Sequence, residues 1–376
     1  MTACEPVAFA IKSLAVGGGA ERVFVDVVNG LAERGLSLHV LSFDDPATRA
    51  FYPLSGSIPW TRVGTGDATA PARALETLRR MLAARRTVRA ISPSLCVAFM
   101  HSCYLPLGLS LLATKVPMIA SEHIVPEHYA RVPIQRYLLR LAPVLAVRIT
   151  TVSEAARAGY PETLRRKMCV VPNPLTLAAV EPADPVGPPT GRKLLLAVGR
   201  LSPQKDFATL IAAFARLAER NPEWDLRIVG EGAERPKLER LIADLGLGSR
   251  IALPGATRNI GAEYQAAQLF VLPSRYESQG LAAVEAIAHG LPVVAFADCR
   301  GLDAIVEDGV NGRMALEGDR VDGLVEALAP LMADPGRRAA LSAPASIDVE
   351  SVSLPRVLDR WEALIRQHRR GRDPVD

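Results

Sequence analysis

The stretch 7-VAFAIKSLAVGGGAERVFVDVVNGLAERGLSLHVLSF-43 decides the fold. Residues 7–11 form a short apolar run that gives way to the glycine cluster Gly17, Gly18 and Gly19. The following AERVFVDVVNGLAER spaces its apolar residues as a helix does, and residues 38–43 read as a second strand. Strand, glycine loop, helix, strand is the opening of a doubly wound α/β domain. Apolar runs at 95–99, 118–121 and 149–152 predict further buried strands.

Residues 175–192, LTLAAVEPADPVGPPTGR, are dense in proline and lack periodicity, which places an interdomain linker there. The pattern then restarts, with strands predicted at 194–198, 225–229, 250–253, 269–272 and 292–296 and helices at 207–219 and 235–245. The expected organisation is a Rossmann-like domain over 1–174, the linker 175–192, a second Rossmann-like domain over 193–352 and a helical tail over 353–376.

Composition narrows the function. The chain has 376 residues, 49% hydrophobic and 22% charged, as an ordinary globular protein does. A net charge of +4, with no aromatic and basic stripe, argues against a nucleic-acid partner. Glu5 stands where a signal peptide wants positive charge, and the longest apolar stretch, 104–116, falls short of the ~20 residues that cross a bilayer. Cys4, Cys96, Cys103, Cys169 and Cys299 are odd in number and hold no C-x-x-C pair, so a reducing cytosol is expected rather than a disulfide framework or a zinc knuckle.

Ligands of open parallel sheets collect beyond the carboxyl ends of the strands, so the residues after each strand matter most. Gly199, Arg200 and Lys205 follow the strand 194–198, and two cations there can hold a diphosphate or can be solvated loop charges. Gly230 and Glu231 follow 225–229, where small residues permit close backbone approach or simply make a turn. After 269–272 comes SRYESQGLAAVEAIAHG, with a helix predicted to begin near Gly280, Glu277 just ahead of it and Glu285 inside it. The free N–H groups of such a helix start favour phosphate, and ionised carboxylates beside them accept hydrogen bonds from hydroxyls. Phosphates and hydroxyls together describe a nucleotide sugar; the bland alternative is a dipole-complementing Glu and an exposed flank Glu. His123, at the end of the strand 118–121, is either structural or a site residue. No D-x-D occurs, which argues against a divalent cation bridging protein carboxylates to a diphosphate.

Residues 73–89, from Arg73 to Arg89, hold arginines against a single glutamate on a segment with Leu75, Leu78, Met81 and Leu82 at helical spacing. That is either a helix resting on an anionic membrane surface or a solvated helix face.

Taken together, GGGAERV (17–23), SEH (121–123), VSE (152–154), VPNP (171–174), GRLSPQKD (199–206), VGEG (229–232), SRYES (274–278) with its E-x7-E pair, and EDGVNG (307–312) resemble the retaining glycosyltransferases of family 4, of the bacterial cell-surface polysaccharide type, in the same order along most of the chain. The resemblance implies the GT-B fold: two Rossmann-like doubly wound domains facing a central cleft, with a C-terminal helix crossing back to the first. It implies that Arg200 and Lys205 hold the donor diphosphate, that Glu277 contacts the transferred sugar and that Glu285 binds the ribose. Gly230, Glu231 and Leu253 fall where the family holds the base; Gly17, Gly18, Gly19 and His123 match first-domain positions facing the diphosphate and sugar. Gly199, Gln279, Gly280 and Leu281 complete the implied donor site, and Gln279 departs from the glycine common there in relatives, which is expected to alter sugar selection. The segment after Cys299 looks shortened as far as Asp303.

The implied reaction is metal-independent and needs no cofactor: a hexosyl or N-acetylhexosaminyl unit passes from a nucleotide diphosphate sugar, UDP-linked, to a glycan or polyprenyl-linked glycan acceptor, with retention. The implied location is cytoplasmic, with peripheral attachment to the inner face of the membrane. Rival readings are a GT-B epimerase, a non-catalytic nucleotide-sugar binder, and an NAD(P)-dependent oxidoreductase using Asp44 for a ribose, against which the missing G-x-G-x-x-G counts.

Overall fold

The computed structural model describes residues 5–64, 74–112, 114–130, 132–175, 181–188, 190–302, 305–316, 318–342, 348 and 350–370. Cys4, Arg73, Asp303, part of the 175–192 segment and the end of the tail lie outside them. The chain divides into two units, Met1–Pro174 with Ser351–Asp376, and Leu175–Glu350.

In the first unit a seven-stranded sheet runs in the order β3-β2-β1-β4-β5-β6-β7. Its strands are β1 (Val7–Ile11), β2 (Leu38–Ser42), β3 (Trp60–Arg62), β4 (Leu95–Phe99), β5 (Met118–Ser121), β6 (Arg148–Thr151) and β7 (Met168–Val170). Every pairing is parallel. β1, β4 and β5 are buried on both faces, which is why they read as unbroken apolar runs. β3 and β7, short and at the sheet margins, carried no comparable signal.

The helix Leu354–His368 belongs to this unit. Its buried Trp361 meets Phe99 at 5.8 Å and Phe9 at 6.2 Å between ring centroids. Leu358 sits over Gly30 of the helix Gly19–Glu33, so close that a Cβ there would stand 2.6 Å from Leu358 Cδ1. Arg34 closes the contact by donating to Asp359, Glu362 and the carbonyl of Pro355. The tail therefore returns to the first unit through an aromatic anchor and an ion-pair rim.

The helix Ala74–Ile91 buries Ala84 and Val88 and turns Leu75, Leu78 and Leu82 outward, at 61%, 51% and 50% exposure, beside exposed Arg79, Arg86 and Arg89. Arg80 instead points inward, pairing with Glu76.

The second unit holds a six-stranded sheet in the order β10-β9-β8-β11-β12-β13, again parallel throughout. The strands are β8 (Lys193–Val198), β9 (Trp224–Val229), β10 (Ile251–Gly255), β11 (Leu269–Leu272), β12 (Val293–Phe296) and β13 (Gly312–Ala315). Described residues of the proline-rich segment pack onto this unit: buried Arg338 donates to the carbonyls of Pro185 and Val186, and Ala183 N–H donates to His289 O. Strand order reverses between β8 and β11, and a crevice at such a reversal is where open α/β sheets receive ligands.

Candidate active site

The two loops that flank this reversal are joined directly. Gln204, after β8, accepts Arg275 N–H at its carbonyl (2.9 Å) and donates its side-chain amide to Tyr276 O (2.8 Å). This registers Lys205 against Glu277, and Lys205 Nζ lies 2.5 Å from Glu277 Oε1. Ser274 Oγ donates to the same oxygen at 2.5 Å. Two donors on one oxygen fix the carboxylate's plane and direct its second oxygen away from them. Glu277 is only 6% exposed, so its ion pair is poorly screened. Behind it, Glu277 N–H donates to Arg300 O, and Gly301, at φ 90°, approaches so closely that a Cβ would stand 2.3 Å from Glu277 O.

Glycine is required on the β8 side for the same reason. A Cβ on Gly230, which sits at φ 150°, would lie 2.0 Å from Gly199 O, so the loops after β8 and β9 touch backbone to backbone. Lys205's stem lies across Gly199, with Cε 3.0 Å from where a Cβ would be. Arg200 is exposed on this loop.

The helix after β11 spans Leu281–Ala288 with Gly280 as its N-cap at φ 63°. Gln279 is buried ahead of it. Glu285 is 2% exposed, which removes the exposed-flank alternative. Tyr264 OH donates to its Oε2 at 2.8 Å, and Tyr264 stacks on His289 at 5.0 Å. A third group forms after β9 and β10: Arg235 grips both oxygens of Glu231 through Nε and Nη2 and donates from Nη1 to Leu253 O at 3.1 Å. That hydrogen-bonded guanidinium holds the Glu231 carboxyl below the ordinary range.

In the first unit, Gly18 caps the helix Gly19–Glu33, and Gly17 lies where a Cβ would meet the Phe51 ring at 2.8 Å. His123 stacks on Phe99 at 4.8 Å and hydrogen-bonds Ser121 Oγ at 2.9 Å. Burial lowers its pKa to about 4 despite hydrogen bonding with Asn173, so the ring is neutral at pH 7. Beneath it, buried Glu122 accepts from Tyr104 OH (2.5 Å), Tyr129 OH (2.8 Å) and Ile124 N–H (2.9 Å), and its pKa is nonetheless raised by burial. Asp44 is consumed internally: Ser13 Oγ and Leu14 N–H occupy its two oxygens at 2.5 and 2.9 Å. A ribose-binding acid needs those oxygens for the ligand, and the oxidoreductase reading loses its residue.

Among the expected second-unit residues, Lys205 with Glu277, Glu285 with Tyr264, and Glu231 with the Leu253 carbonyl through Arg235 each form a hydrogen-bonded group, and Arg200 lies exposed on the loop after β8. Sequence reading passed over Ser274, Gln204, Asp206, Tyr264, Arg235 and Arg320, which hold those groups in place. Ser274, Gln204 and Asp206 lie inside the motifs SRYES and GRLSPQKD without a role assigned there, and Arg235, Tyr264 and Arg320 lie outside every motif.

Two doubly wound parallel sheets in one chain, with polar groups beyond their strand ends, define the GT-B class of α/β protein. Residues 17–178 match Glycosyltransferase Family 4 and residues 183–346 match Glycosyl transferases group 1, and the chain belongs to glycosyltransferase family 4. It is 25% identical over 367 residues to an uncharacterized glycosyltransferase of Haemophilus influenzae, covering 96% of this chain and 100% of that one. Its fold is that of sucrose-phosphate synthase from Thermosynechococcus elongatus (TM-score 0.80, 21% identity, 96% of this chain and 98% of that one). It is equally that of Anabaena HepE, solved with UDP and glucose (TM-score 0.78, 20% identity, 96% of this chain and 100% of that one).

Proposed function

We propose that this chain transfers a hexosyl or N-acetylhexosaminyl unit from a UDP-sugar to a glycan or polyprenyl-linked glycan acceptor, with retention at the anomeric carbon and without a metal. The observation that carries the reading is the convergence of Lys205 and Ser274 on Glu277 beside the start of the Leu281–Ala288 helix. In this reading Lys205, Arg200 and the helix N–H groups stabilise the charge that grows on the departing diphosphate. Glu277, tied through Oε1, offers Oε2 to hydroxyls of the transferred sugar and is a poor free base. Retention follows from the family resemblance, with the leaving phosphate taking the acceptor's proton on the same face. Glu285 accepts from the ribose, and the groups around Glu231 and Leu253 take the base. Binding of UDP in the HepE structure supports UDP as the carrier. His123, neutral at working pH, serves as a hydrogen-bonding group rather than a cation.

Membrane attachment belongs to the same proposal. The outward Leu75, Leu78 and Leu82 beside Arg79, Arg86 and Arg89 suit an anionic bilayer surface. Flotation with vesicles containing phosphatidylglycerol is expected to carry the protein upward, and less so after substitution of the leucines by serine.

The donor is tested by incubation with a panel of UDP-, GDP- and ADP-sugars, read by mass spectrometry for hydrolysis or transfer and by thermal shift for binding. Stabilisation and turnover by a UDP-sugar are expected. No response to any nucleotide sugar overturns the reading.

A further inference from the structure

Arg320 stands at the first position of the helix Arg320–Ala333, where a cation meets the positive end of the helix dipole. Asp319, capping Val321 and Asp322 N–H, offsets that charge, but nothing in the helix itself calls for arginine. Its side chain explains the choice. The guanidinium lies 3.6 Å over the Phe296 ring at the end of β12, and every nitrogen on its edge is used. Nε donates to Asp206 Oδ2 (3.0 Å), Nη1 to Asp298 (3.1 and 3.2 Å), and Nη2 to the carbonyls of Pro273 (2.9 Å) and Ser274 (3.3 Å). One planar group thereby joins the loops that follow β8, β11 and β12.

Both arms lead to the same point. Asp206 directly follows Lys205 and is held at φ 52°, a left-handed conformation that a side chain disfavours. It is buried, and its oxygens are fully engaged: Thr209 Oγ1 at 2.9 Å on Oδ1, Arg320 and Arg275 on Oδ2 at 3.0 and 2.9 Å. Such an outlier persists only where its surroundings hold it, and Arg320 is the more buried of the two cations that do. On the other arm, Arg320 fixes the backbone of Ser274, whose hydroxyl orients Glu277. The ion pair of Lys205 with Glu277 closes the ring.

We propose that Arg320 is a positioning residue for transfer, setting Lys205 through Asp206 and Glu277 through Ser274 without touching the donor. The inference rests on the reading of Lys205 and Glu277 as donor-binding groups. Arg320→Met removes the fork while keeping the stem over Phe296. Arg320→Lys keeps a charge for Asp206 but cannot reach the carbonyls at the same time. A displacement of about an ångström at the reacting groups is enough for roughly a 100-fold fall in kcat. Arg320→Met is expected to lose about that factor in kcat with a smaller change in donor KM, and Arg320→Lys to recover part of it. Amide hydrogen exchange should quicken in 200–206 and 273–277 and stay unchanged in the core strands of the second unit. An unchanged kcat, a loss confined to KM, or exchange that quickens throughout the unit overturns the proposal. If the unaltered protein turns over no nucleotide sugar, the functional reading fails, and the exchange pattern alone decides whether Arg320 holds these loops.

Discussion

Acidification is expected to destabilise the first unit, with His101 and His123 making the largest contributions and His39, whose pKa burial also lowers, adding in the same direction. Burial lowers the pKa of His101 to about 4, helped by the positive fields of His128 and Lys12, and burial alone takes His123 to about 4. Free histidine titrates near ~6.5. As pH falls below that value the unfolded chain takes up protons that the folded chain refuses until about pH 4, so stability is lost across this window. Between about pH 7.5 and about pH 5 each histidine contributes a loss of roughly 2 kcal/mol, about 4 for the pair, out of a typical total of ~5–15. Glu122 opposes them: burial raises its pKa, so its protonation on acidification favours the folded state. The assay is urea unfolding of the parent, His101→Gln and His123→Gln across this range. Each variant should shed the roughly 2 kcal/mol of pH-dependent loss that its own histidine contributes, whatever its stability at neutral pH. Imidazole resonances followed by NMR give the folded midpoints directly. Midpoints near ~6.5, or variants that retain the parent's slope, refute the burial argument.

The other predictions concern the two ends of the site and the tail. Glu277→Ala and Lys205→Ala should each lose at least about 100-fold in transfer while the second unit still folds, at a lowered melting temperature because a buried ion pair loses one partner; near-normal transfer by either contradicts the proposed roles. Gly230→Ala places a Cβ 2.0 Å from Gly199 O at φ 150°, and should cost more than about 2 kcal/mol in thermal unfolding while weakening donor binding. Trp361→Ala removes the anchor against Phe9 and Phe99 and should destabilise the first unit by about 3–5 kcal/mol; a chain of unaltered stability shows that the helix Leu354–His368 contributes no packing energy.

The strands that carry the site were readable because parallel strands covered on both faces are continuous apolar runs. β1, β4, β8, β11 and β12 appear in the sequence within a residue or so of their observed limits. Glycines and charges just beyond them were readable for a related reason: once a sheet is parallel, its strand ends are known from the chain alone, and whatever follows them faces the crevice. β3, β7 and β13 escaped because three or four residues, only partly buried, leave no period to detect.

What could not be read is how the motifs are braced. Glu277 is oriented by Ser274 three residues away, but the register of Ser274 itself is set by Arg320, 46 positions on, and by Gln204, whose contact with Tyr276 spans 72. A hydrogen bond of that span is a property of which loops the topology brings together, and one sequence does not record which residues will meet. The same reasoning changes the meaning of the glycines. Gly230 reads as a turn or as room for a ligand, whereas it makes room for another strand-end loop at Gly199, and Gly301, which no motif singles out, does the same at Glu277. The binding residues are therefore legible one at a time, as chemistry at strand ends, while their precision belongs to contacts between loops. A change at Arg320, invisible to any motif, should for that reason weigh on transfer as heavily as a change at a residue that meets the substrate.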